Sequence, residues 1–156
     1  MEAGIRNNRK AFTLLEVAIV LILIGILIGI VIRGTQTSYT AKVNATVECY
    51  RVNLYAVENY FNIYRRYPGD YDGDGKIEND AIPILRTNGF DVKVENPFGG
   101  TFNVMWRNFP GVDSGNYIYS DRIPINLDSL IDAKIDDGNL EYGRYRRISN
   151  VSYLKF

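Results

Sequence analysis

The 156-residue chain contains no histidine, which removes the commonest zinc ligand and the side chain most used for acid–base catalysis near neutrality. Its single cysteine, Cys49, permits neither an internal disulfide nor a multi-thiolate metal centre. Net charge is missing too. The 18 basic and 18 acidic side chains cancel, and with them goes the electrostatic footprint of a dedicated nucleic-acid binder. Proline is absent before Pro68, so nothing in the N-terminal part forbids a long helix. Without histidine no Ser/His/Asp or Cys/His constellation can form, and no phosphate-binding glycine loop is present. Carboxylate pairs could in principle serve a glycosidase, but Asp128/Asp132 read as exposed-face charges and Asp136-Asp137 as helix-end charges. The length suits one ordinary domain, and the expectation is a structural protein, not an enzyme.

What is present is concentrated at one end. Val17 to Ile32 is a run of sixteen residues with no polar side chain. As a helix it covers about 24 Å; adding Phe12 to Glu16 extends it to about 31 Å, enough for a hydrocarbon core of roughly 30 Å. The extension carries Glu16 into the membrane. An isolated carboxylate there costs at least about 2.5–3.5 kcal/mol, so Glu16 is a candidate functional residue. Arg6, Arg9 and Lys10 precede the run against Glu2 alone, which places that end in the cytoplasm. A cleaved secretory signal would have a shorter apolar region followed by a small-residue site. Arg33-Gly34-Thr35-Gln36-Thr37-Ser38 supplies no such site, and lipoprotein processing would need a cysteine much nearer than Cys49.

Arg9-Lys10-Ala11-Phe12-Thr13-Leu14-Leu15-Glu16, followed by the apolar run, resembles the processing motif of type IV pilins and type II secretion pseudopilins. The resemblance implies removal of the basic leader 1–11 by a prepilin peptidase between Ala11 and Phe12, and N-methylation of Phe12. It matches Glu16 to the family's glutamate five residues into the mature chain. The family usually has glycine before the cut; Ala11 is the nearest substitute in size, and slower cleavage is expected. Cleavage leaves an amine on Phe12. Glu16 of a neighbouring subunit can neutralise it when helices stack with an axial offset, whereas another register leaves one charge buried alone. Pairing of Glu16 with the amine of its own chain is the alternative. Gly25 and Gly29 form a GxxxG notch that permits close helix contact.

Between the apolar run and Tyr67-Pro68-Gly69, apolar residues recur at Val43, Val47, Tyr50, Leu54, Val57, Phe61 and Tyr64. This spacing predicts one helix over Phe12–Arg66 with a single sticky face, most easily bent at Gly34. Strands are expected at Phe90–Glu95, Thr101–Arg107, Asn116–Ser120 and Tyr145–Phe156, the last broken at Ser149-Asn150. A turn is expected at Asn96-Pro97-Phe98-Gly99-Gly100. A short helix is expected over Asn126–Asp137, capped by Asn126, with Leu127, Leu130, Ile131 and Ile135 on one face and Gly138 as its stop. Strands joined by short turns give an antiparallel sheet. The predicted class is α+β, a long helix packed on a small sheet, which is also the ladle that the resemblance implies. The expected divisions are a leader (1–11), a transmembrane and filament-core helix (12–33), an amphipathic second half (34–67) and a soluble remainder (68–156).

Asp70-Tyr71-Asp72-Gly73-Asp74-Gly75-Lys76-Ile77-Glu78-Asn79-Asp80 resembles the first half of an EF-hand loop. Three carboxylates so close repel one another unless a cation lies between them. The expected structural Ca²⁺ would take side-chain oxygens from Asp70, Asp72 and Asp74 and the carbonyl of Lys76, with Glu78 or Asp80 completing the shell. Ala81 stands where the closing bidentate glutamate of such a loop belongs. A solvated turn that caps the long helix is the competing reading.

The resemblance implies a filament subunit in the bacterial inner membrane, assembling with copies of itself and other pilin or pseudopilin subunits on an inner-membrane platform. The filament would stand in the periplasm or on the cell surface. The single cysteine excludes the C-terminal disulfide loop of many adhesive pilins. The alternative is a DNA-binding minor pilin of a competence-type uptake pilus, resting on Tyr64-Arg65-Arg66-Tyr67 and Tyr142-Gly143-Arg144-Tyr145-Arg146-Arg147.

Overall fold

A computed structural model describes residues 13–109 and 113–156, the side chains of residues 32–36 excepted. The chain divides into two compact units, Met1–Tyr39 and Thr40–Phe156. One helix, α1 (Leu14–Tyr64), contributes to both and continues as helix through Gly34. It closes where Arg65 takes a positive φ of 55°, three residues ahead of Pro68, whose preceding residue disfavours helical geometry.

In the first unit α1 presents nothing but exposed aliphatic surface from Leu14 to Val31 apart from Glu16. This stretch is long and apolar enough to cross a membrane, and none of it is buried. Fully burying one Leu, Ile or Val is worth about 1.5–3 kcal/mol. Leaving this surface in water therefore costs on the order of tens of kcal/mol, and a single-pass membrane anchor relieves that cost.

In the second unit, α2 (Ala81–Thr87) and α3 (Ile125–Ile135) accompany four strands. These are β1 (Phe102–Phe109), β2 (Asp113–Asp121), β3 (Tyr145–Ile148) and β4 (Val151–Lys155), in the order β1-β2-β4-β3, antiparallel throughout. Val43, Val47, Tyr50, Ala56, Val57 and Tyr60 of α1 form one core with Phe102, Val104, Ile118, Tyr145 and Leu154 of the sheet. The fold is α+β: a long N-terminal helix, two short ones and a small antiparallel sheet.

Several expectations need correction. The buried stripe of α1 ends at Tyr60; Phe61 and Tyr64 face solvent and Leu54 is half-buried. Thr46 and Asn53 are buried on the same face. Asn53 explains why 90–95 is not a strand. Its side chain donates to the Lys93 carbonyl at 3.0 Å and accepts the Lys93 amide at 2.8 Å, so the backbone there is satisfied by a helix side chain instead of a ladder. Only a single bridge, Glu95 to Thr101, remains, closing the turn at Asn96–Gly100. In that turn the Asn96 side chain accepts the amides of Phe98 and Gly100.

Helix α2 was not foreseen. Asp80 caps it by accepting the Ile82 amide at 3.2 Å, and Pro83 fits its first turn. Helix α3 is preceded by Pro124, not capped by Asn126. Its Leu130 is exposed, while Asp128 and Asp132, expected on the solvent face, are completely buried. The break at Ser149-Asn150 is a tight hairpin with Ser149 at φ 57°.

Candidate functional site

The start of α1 is organised by Thr13 and Glu16. The Glu16 carboxylate accepts the Thr13 amide at 2.9 Å and the Thr13 hydroxyl at 3.1 Å, both on Oε2. In return the Thr13 hydroxyl oxygen accepts the Glu16 amide at 3.2 Å. This is a reciprocal capping box, which satisfies amides that a helix N-terminus otherwise leaves unpaired. The sequence signal, Thr-x-x-Glu, lies inside the processing motif itself, where its capping function is easily missed. Glu16 is thus turned back on the first turn, at the N-terminal edge of the apolar helix. Ala11 and Phe12, the expected cleavage and methylation positions, lie outside the described residues. At Gly25 and Gly29 an added Cβ would meet nothing within 4 Å, so no described contact within one chain requires glycine there.

The acidic loop between α1 and α2 gathers part of the expected ligand set. Carboxylate oxygens of Asp70, Asp72 and Asp74 lie within 4.8 Å of one another. Asp70 is buried and accepts the Gly73 amide at 2.7 Å and the Gly75 amide at 3.1 Å. Asp72 accepts the Asp74 amide at 3.1 Å, and Asp74 the Lys76 amide at 2.8 Å. The Lys76 ammonium pairs with the other Asp74 oxygen and stands over the Trp106 ring, 5.6 Å from its centroid. That ammonium holds the Asp74 carboxyl below its usual range. Glu78 is exposed. Asp80 does not join the cluster: besides capping α2, its Oδ1 accepts the Val104 amide at 2.9 Å and ties that helix to β1. The loop is fastened to the sheet through Asn116, which accepts the Ile77 amide and donates to the Gly75 carbonyl. Three converging carboxylates fit a hard cation, with Lys76 as the internal competitor for Asp74.

The chain matches the family model of the prokaryotic N-terminal methylation motif over residues 6–32. It carries the signature of type IV pilins and pseudopilins. The match takes in Ala11, Phe12, Glu16, Gly25 and Gly29 together with the leader's Arg6, Arg9 and Lys10. No curated protein and no solved structure matches the chain.

Beyond the methylation motif, the aromatic–basic clusters separate. Arg65 and Arg66 are exposed, but the second cluster is largely consumed by the fold. Tyr145 is a core residue whose hydroxyl donates to Asp128 Oδ1 at 2.5 Å. Arg147 donates to Asp128 Oδ2 at 2.6 Å and to the Ile123 carbonyl at 3.1 Å. The Arg144 guanidinium goes to the Lys155 carbonyl and that of Arg146 to the Gly143 carbonyl. Cys49 is half-buried and burial pushes its thiol up, which suits a packing residue rather than a nucleophile.

Proposed function

We propose that the protein is a structural subunit of a type IV pilus-like or type II secretion pseudopilus filament. Prepilin peptidase releases residues 1–11, Phe12 is methylated, and the mature chain assembles through α1. The observation that supports this reading is the joining, in one segment, of the methylation motif, an unburied apolar helix and a carboxylate held at its first turn. The Phe12 amine and Glu16 are then the only charges at the start of a helix that is otherwise aliphatic to Val31. In a helical stack, the register that pairs Glu16 of one subunit with Phe12 of the next leaves neither charge alone. Losing one partner of such a pair costs about 3–5 kcal/mol. Gly25 and Gly29 serve as the notch through which neighbouring helices approach.

Glu16→Ala tests the assembly role. Membrane insertion is expected at the wild-type level, while filaments recovered by shearing cells that express the cognate assembly machinery are expected to vanish. Wild-type filament yield would remove the pairing role.

The reading extends to a structural Ca²⁺ among Asp70, Asp72 and Asp74, supported by the convergence of their oxygens. Lys76 would release Asp74 as the ion enters. Calcium-dependent stabilisation that Asp72→Asn abolishes is the expected result.

A further inference from the structure

A different group of carboxylates makes the stronger case for a cation. At the C-terminal end of α3, carboxylate oxygens of Asp132, Asp136 and Asp137 lie within 4.8 Å of one another. In the Asp70–Asp74 loop each carboxylate accepts an N–H from its neighbours. Asp132 is different: it is sealed from water, and neither of its oxygens has a hydrogen-bond partner. Among the described residues, none of the ion pairs involves Asp132, Asp136 or Asp137. The amides of Gly138 and Asp137 lie on its side of the turn without reaching hydrogen-bond geometry. Asp132 therefore lies beside two more carboxylates with no cationic side chain paired to it among the described residues. It also stands at the negative end of a helix dipole. A buried carboxyl with neither oxygen partnered is costly to a fold.

We infer that Asp132, Asp136 and Asp137 form a binding site for a hard divalent cation, Ca²⁺ in preference to Mg²⁺. The donor set is oxygen only. One sealed and two exposed carboxylates suit the adaptable oxygen shell of Ca²⁺, whereas Mg²⁺ demands near-ideal octahedral geometry and keeps most of its water. Asp132 supplies the sealed inner side, and exposed Asp136 and Asp137 give the ion its path from solvent. Both outer carboxylates are already oriented. Asp136 Oδ2 accepts the Arg144 and Tyr145 amides, and Asp137 Oδ1 accepts the Asn139 amide at 2.8 Å. Such outer-shell bonds fix ligand direction. Gly143 packs so closely on Asp136 that a Cβ there would strike its carboxylate. The ion would therefore pin the end of α3 to the start of β3, two elements that also meet at the buried Asp128–Tyr145 pair. This inference does not depend on the filament assignment.

The test is calcium titration and thermal melting of the metal-stripped full chain in detergent, compared with Asp132→Asn, Asp137→Asn and Asp72→Asn. Asp132→Asn and Asp137→Asn are each expected to bind one calcium ion fewer than wild type and to lose part of the calcium-dependent rise in Tm. Asp132→Asn should also melt above wild type in the metal-free state, because it removes one of three crowded carboxylates. Asp72→Asn should keep this ion, so failure of the Asp70–Asp74 reading remains distinguishable. Wild-type calcium stoichiometry in both Asp132→Asn and Asp137→Asn, or no calcium binding by wild type, would overturn the inference.

Discussion

Asp128 shows how much one buried side chain can organise. It accepts the Tyr145 hydroxyl, an Arg147 guanidinium nitrogen and the Ser152 hydroxyl at 2.5–2.7 Å, with Tyr50 stacked edge-on against Tyr145, ring centroids 5.4 Å apart. Removing the carboxylate strands a buried guanidinium, so Asp128→Ala should destabilise the folded unit by about 3–5 kcal/mol in chemical denaturation. The same cluster makes stability sensitive to alkali. Burial pushes the phenols of Tyr50 and Tyr145 well above their ordinary value of 10.0. For an acid whose folded-state pKa is raised, the native state holds the proton more tightly than the unfolded chain. Their contribution is complete below about pH 10 and is lost as pH climbs above it. Tyrosinate absorbance should accordingly show two phenols that ionise only as the fold melts.

None of this residue-level wiring could be read locally. Asp128 and Asp132 are four residues apart on a helix, the pattern of an exposed charged face. Their burial depends on Tyr145, Ser152 and the 136–144 turn, which only tertiary structure brings to them. Glu16 was legible, because a charge beside an aliphatic run is conspicuous whatever surrounds it. Its pairing with Thr13 was equally present in the letters, as a capping box hidden within another motif.

At the scale of elements, features set by local spacing and turn chemistry were legible, and those set by distant partners were not. The α1 stripe, the β3–β4 hairpin and the turn at Asn96–Gly100 follow from helical spacing, alternation and turn chemistry. The segment 90–95 alternates like a strand yet is held by Asn53, a partner some forty residues away whose side chain mimics a neighbouring strand. Helix α2 escaped because Asp80 belonged to an acidic motif that invited a metal reading. Asp80→Ala should cost about 1–2 kcal/mol through loss of the cap, with the Val104 amide also left unpaired. The expected readout is a lower Tm that calcium does not restore. Gly25→Leu and Gly29→Leu should leave the melting of the folded unit unchanged, since their Cβ positions meet nothing within 4 Å among the described residues. If the notch serves contact between subunits, the same changes should lower filament yield.

At the scale of the whole molecule, the described core residues lie between Val43 and Leu154, all within the unit Thr40–Phe156. The aliphatic surface from Leu14 to Val31 contributes nothing to that core. If the apolar helix serves assembly, stability and assembly are divided: changes in the core should move Tm without touching insertion, and Glu16→Ala should lower filament yield without moving Tm or insertion. On the proposed reading, the segment ahead of the folded unit is processed and used for assembly. The most direct measurement is intact-mass and N-terminal peptide spectrometry of the membrane-expressed chain, with and without an active prepilin peptidase. With the active peptidase, the expected product is a chain beginning at Phe12 and carrying one N-methyl group. A chain that still begins at Met1, in cells that process another prepilin normally, would contradict it.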